Sequence, residues 1–146
     1  MAPIPAKLEN RDVVRRFFEV GPSAGDLEAA DSLLAPDFSL HTPLPTPGPG
    51  IEAMNNVIIT CRAAFQGLHV TIHDMMADGD RVACRFTARG VHQGEFMGLP
   101  PTGREIAMTG IEIFRLRDGK IAELWGEANL MGLMYQLGIL PGPSKG

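Results

Sequence analysis

The chain has 146 residues, 45% of them apolar, with 13 Lys and Arg against 17 Asp and Glu and a formal net charge of −4. That length suits one domain around one core, and basic residues so few and so dispersed leave no electrostatic footprint for nucleic acid. No stretch approaches the roughly 18 apolar residues of a membrane span, and the first nine residues hold no apolar run of signal-peptide length, so the cytoplasm is the expected compartment.

Residues 1–9 read as a lead-in, 10–140 as the domain and 141–146 as a tail. Asn10 is placed to cap a helix whose inner face is Val13, Val14, Phe17 and Phe18, ended by Gly21-Pro22-Ser23. Gly25-Asp26 opens a second, short helix with Leu27, Ala30, Leu33 and Leu34 inward, stopped by Ala35-Pro36. Asp37 to Thr42 alternates as a short strand. Residues 43–50 hold four prolines and two glycines, which predicts an ordered turn or lid. Ile51, Met54, Ile58, Cys61 and Phe65 follow helical spacing.

The period then falls to two. Leu68, Val70 and Ile72 alternate with polar neighbours, Ala77-Asp78-Gly79-Asp80 forms a hairpin turn, and Val82, Cys84, Phe86 and Ala88 alternate again. A Gly/Pro cluster at 94–104 precedes a strand over 105–116, with Gly110 as a bulge or bend. Arg117-Asp118-Gly119-Lys120 makes a second tight hairpin, 121–127 the last strand, and 130–137 a terminal helix capped by Gly138. Helices first and hairpinned strands after give an α+β class with a mostly antiparallel sheet. Three helices cannot cover a long curved sheet, so a pocket between them is expected.

Several segments carry a family resemblance. They are Gly90-Val91-His92-Gln93-Gly94-Glu95-Phe96-Met97-Gly98-Leu99-Pro100-Pro101-Thr102-Gly103-Arg104, Gly110-Ile111-Glu112-Ile113-Phe114-Arg115 with Asp118-Gly119-Lys120-Ile121, and Glu123-Leu124-Trp125-Gly126 with Leu133-Met134-Tyr135-Gln136-Leu137-Gly138. The first half agrees through Val14-Arg15-Arg16-Phe17, Asp26-Leu27, Leu34-Ala35-Pro36-Asp37-Phe38 and His41. Over about residues 10–139 the chain resembles the SnoaL-like polyketide cyclases. The resemblance implies the nuclear-transport-factor-2-like fold, a cone of curved sheet and N-terminal helices around a deep pocket. It also implies intramolecular aldol ring closure of a polyketide by general acid/base catalysis, with no metal and no cofactor. Relatives of this fold include hydroxylases, isomerases, hydrolases and non-catalytic binders, and fold alone does not choose among them. By the same analogy the partners are a small hydrophobic or polycyclic ligand and a second copy, as a homodimer or homotetramer.

One position departs from the family. The residue four after the Trp is usually the acid/base Asp; here it is Asn129, and a neutral amide takes no proton near neutrality. Alternation puts Glu123, Trp125, Glu127 and Asn129 on one side of the last strand. If that side faces the pocket, Glu127 is the candidate acid/base, with Asn129 and Trp125 orienting the substrate; otherwise Glu127 is solvated and Asn129 caps the last helix. His41 and His92, at family positions near the pocket, are the other candidates for proton transfer, since imidazole is the side chain suited to act as acid or base near neutral pH. Glu112 interrupts an apolar strand and points either to solvent or into the pocket. Met97, Met131 and Phe17 complete the expected ligand contacts, since thioethers and rings adapt to flat apolar molecules. Cys61 and Cys84 follow no zinc or redox spacing and read as small buried apolar side chains in a reducing setting. His69 and His73, about 13 Å apart on a strand, cannot share a metal and read as surface. Arg85 and Arg89 share one face and read as solvated or as a clamp for an acidic group.

Overall fold

In the computed structural model, residues 9–44 and 48–141 are described; the segments 1–8, 45–47 and 142–146, which take in most of the expected lead-in, the middle of the expected lid and most of the expected tail, lie outside them. The first helix, α1, spans Asn10–Phe18. Its N-cap is Glu9, one residue before the expected Asn10, and it buries Val13, Val14, Phe17 and Phe18 as the spacing requires. The chain then widens into a π-helical turn, Glu19–Ser23, that contains Pro22. The Arg62 guanidinium donates to the carbonyls of Pro22 and Ser23 at 3.0 and 2.7 Å, giving partners to groups that a proline-containing turn leaves open. Asp26 caps the short α2, Leu27–Asp31, by accepting from the Ala29 N–H.

The first strand, β1, runs Leu34–His41 and so begins before the Ala35-Pro36 pair expected to precede it. Pro36 is tolerated because β1 is an edge strand, bonded on one side only. Helix α3, Gly50–Ala64, passes at once into β2, Phe65–Asp78. There follow β3 (Arg81–His92), β4 (Glu105–Arg117), β5 (Lys120–Ala128) and α4 (Leu130–Gln136).

The sheet is open and mixed, in the order β1-β5-β4-β3-β2. The hairpin neighbours are antiparallel, and β1 lies parallel to β5. Helices α1 and α3 pack on one face, against a core in which Phe114 meets the rings of Phe17 and Phe18 edge-on at 6.3 and 5.7 Å. No helix among the described residues is long and apolar enough to cross a membrane.

Two local features set the faces of the sheet. Gly110 makes no bulge: its register on both neighbours is unbroken, and the glycine is needed because a Cβ there would stand 2.5 Å from the Phe86 ring. The bulge lies on β5 instead, where Arg115 pairs with Glu123 and Leu116 with Ile121, leaving Ala122 over. Ile121 and Ala122 are both buried, and beyond them the inward positions of β5 become Leu124, Gly126 and Ala128.

Candidate active site

Between α1, α3 and the inner face of the sheet lies a cavity of about 110 Å³. Each strand contributes alternate residues: Leu40 from β1, Val70 from β2, Phe86 and Ala88 from β3, Met108 and Glu112 from β4, and Leu124 and Gly126 from β5. Phe17 and Phe18 close it from α1, and Met54, Ile58 and Cys61 from α3. Pro43 and Leu44, at the start of the expected lid, also border it. Among the described lining residues there is no Lys, Arg or His; the ionisable groups are Cys61, Glu112 and Glu127.

Glu112 stands in a row across the sheet, paired with Cys84 on β3 and Gly126 on β5. Where its neighbours along the strand put apolar side chains inward, it puts a carboxyl, and no described residue hydrogen-bonds that carboxyl. Gly126 leaves the space beside it open: even a methyl there would lie 3.6 Å from Glu112 Oε1. The residue keeps partial exposure because it borders the cavity, yet those surroundings are apolar. Loss of hydration pushes the acid up to about 8 from an ordinary 4.5. Burial, and then the Glu112 carboxylate, push the Cys61 thiol up to about 11; the same two causes, opposed by a hydrogen bond to the Glu112 backbone, push Cys84 to about 12. Neither thiol is a ready nucleophile.

The other anticipated residues are spread over three places. Glu127 reaches the cavity edge but is exposed to solvent. Asn129 is exposed and caps α4, its Oδ1 accepting from the Gly132 N–H at 2.9 Å. Trp125 and His41 lie on the outer face, stacked on one another at 5.5 Å and 13°. Arg81 lies 5.2 Å from the Trp125 ring. There His41 Nε2 meets Glu123 Oε2 at 2.7 Å, and Arg115 donates to Glu123 Oε1 at 3.2 Å. These partners, the His41 hydrogen bond first, hold the Glu123 carboxyl below its usual range.

His92 is fully buried but does not line the cavity. Its Nδ1 accepts from the Thr102 N–H at 3.2 Å and faces Thr102 Oγ1 at 3.1 Å. Nε2 therefore carries the proton of the neutral ring, and it has no partner among the described residues. Phe65, which does line the cavity, packs on the His92 ring at 5.6 Å. Phe17 borders the cavity as expected, whereas Met97 and Met131 are 49% and 62% exposed and outside it. His69 and His73 are exposed, and no three described His, Cys, Asp or Glu residues are grouped to hold a metal ion. Arg85 pairs with Asp74 on the outer surface, away from any acidic ligand in the cavity.

Comparison with known proteins places this architecture. Aklanonic acid methyl ester cyclase DnrD of Streptomyces peucetius is 28% identical over 132 residues, 87% of this chain and 89% of that one. IdmH of Streptomyces antibioticus, provisionally assigned as a polyketide cyclase, is 35% identical, with a TM-score of 0.79 over 90% of this chain and 99% of its own. AclR of Streptomyces galilaeus, provisionally assigned as a hydroxylase, superposes with a TM-score of 0.83 at 29% identity, over 96% of this chain and 87% of its own. The sequence profile of the SnoaL-like polyketide cyclases matches residues 12–137. With the open sheet, the intervening cavity and all but the first two residues of α1 inside that span, this chain belongs to the SnoaL-like polyketide cyclase family.

Proposed function

We propose that the protein closes a ring in a polyketide-like ketone by intramolecular aldol addition within this cavity. The supporting observation is the character of the lining: apolar walls, rings from α1, and a carboxyl as the polar group set deep among them. Flat apolar ketones fit such walls. A free carboxylate on the substrate would meet no cation there and would face Glu112, so the substrate is read as neutral, its acid absent or masked as an ester.

The test is incubation with a panel of aromatic polyketones, each offered as free acid and as ester, followed by mass spectrometry. Ring closure gives a product of unchanged mass and altered retention, with esters consumed in preference to acids. Full recovery of every substrate refutes the reading. The likeness to AclR favours a second reading, hydroxylation, which the same assay, run with dioxygen as oxidant and an added two-electron reductant to carry the second oxygen atom to water, distinguishes by the added mass of one oxygen atom.

We also propose a homodimer formed through the outer face of the sheet. Ile111 and Ile113 are 56% and 38% exposed on β4, and Ile113 pairs with Trp125 on β5. Apolar side chains so placed at the middle of a sheet face favour a self-complementary contact.

A further inference from the structure

We infer that Glu112 is the group that moves the substrate's proton, taking over the task that the family pattern gives to an acid at position 129. The inference deepens the ring-closing reading and rests on it. The alternatives fail on geometry. The Asn129 amide is committed to the cap of α4 and cannot accept a proton near neutrality. His41 lies across the sheet, tied to Glu123. His92 uses Nδ1 as an acceptor for Thr102 and presents a donor at Nε2, so protonating it would break the Thr102 contact. Glu127 is solvated at the rim.

Glu112 instead borders the cavity with no donor among the described residues engaged on its carboxyl, opposite a glycine that leaves it uncovered. The titratable groups around it are few. Cys61 comes from α3, Cys84 from β3 and Glu127 from the far end of β5, while α1 presents only Phe17 and Phe18. The two thiols stay neutral well past the range in which Glu112 ionises. Its acid and base forms are therefore both populated close to neutrality, which is what one group serving as base and then as acid requires.

The step balances without any co-reactant. Glu112 carboxylate takes a proton from the carbon alpha to a ketone, and the C–H electron pair becomes an enolate spread over the neighbouring carbonyls. The enolate carbon attacks the second carbonyl carbon, forming the C–C bond while the C=O π pair moves to oxygen. That alkoxide takes the proton back from the Glu112 carboxyl, and the carboxylate is restored.

Proton abstraction can be tested apart from ring closure. Nitrobenzisoxazole, a flat aromatic, loses its ring C–H proton to a base as its N–O bond breaks, releasing a coloured nitrile phenolate. The folded protein should accelerate this reaction, with the rate rising between about pH 6 and 10 as Glu112 ionises. Glu112→Gln should lower the accelerated rate on the order of 100-fold, and Glu112→Asp, which keeps the acid but shortens its reach, should retain part of it. The thermal melt of each variant checks that it is folded. A Glu112→Gln rate within about threefold of the parent, or a rate that is flat with pH, overturns the assignment. Failure of the polyketone panel alongside a Glu112-dependent elimination would reject the ring-closing reading and leave the base in place.

Discussion

Replacing Glu112 with Gln removes an ionisable group from apolar surroundings while keeping the side chain's length and shape. Below the ordinary carboxyl value of 4.5 both side chains are neutral in the folded and the unfolded chain, so the two proteins should be close in stability. As pH rises, the unfolded parent ionises Glu112 first, while the folded parent holds its proton up to about 8. Through that window the folded state binds more protons, so parent stability falls by up to about 1.4 kcal/mol per pH unit. The stability tied to the neutral carboxyl is full below the unfolded value and gone once pH passes the folded one. The gap in favour of Glu112→Gln therefore has a ceiling of about 5 kcal/mol, reached at alkaline pH. At roughly 2–4 °C per kcal/mol for a chain of this size, the Tm difference is easily read. Thermal and urea melts at about pH 5, 7 and 9 should show a small gap at the first that widens steeply to the second and more slowly to the third. A gap that is constant with pH, or a parent more stable at pH 9, would refute the claim that this carboxyl is desolvated.

Phe114→Ala should cost about 3–5 kcal/mol by urea denaturation, because the ring is fully buried and packs edge-on against both Phe17 and Phe18; a loss under about 1 kcal/mol would mean that the core closes over the gap. Ile111→Asp puts a charge at the centre of the exposed outer face and should turn a dimer into a monomer in sedimentation velocity, with the melt at high concentration lowered and the far-ultraviolet spectrum kept. A parent that sediments as a monomer would reject the dimer.

The order of elements was readable because it rests on period and punctuation. Helical spacing at Val13, Val14, Phe17 and Phe18 gave α1, and the Asp-Gly turns gave both long hairpins. Boundaries slipped where tertiary pairing overrode a local signal. Ala35-Pro36 reads as a helix stop, yet it lies within a strand, since β1 has an open edge on which a missing N–H costs nothing. Gly110 reads as a bend, yet it serves a distant ring: the need for a glycine arises from Phe86 on the neighbouring strand, which no local pattern contains.

The site was harder to read because one residue inverts it. Counting forward from the buried Ile121 by twos sends Glu123, Trp125 and Glu127 inward, and that count fails because Ala122 is squeezed out of register opposite Arg115 and Leu116. Beyond the bulge the even residues face the cavity, so Trp125 is turned out to stack on His41 and Gly126 is turned in to face Glu112. On β4 the phase could have been found. Phe114 and Leu116 alternate with Arg115 and Arg117, and extending that alternation two residues back places Glu112 inward and exposes Ile111 and Ile113, as observed. The two isoleucines disguise it, since an apolar pair flanking a carboxylate suggests that the carboxylate is the outward residue. A strand that spends apolar side chains on its outer face and a carboxyl on its inner one does so against the burial preference of every residue involved. The proposed dimer and the proposed proton transfer each give a face a use for what it displays: an apolar partner outside, and a working carboxyl inside.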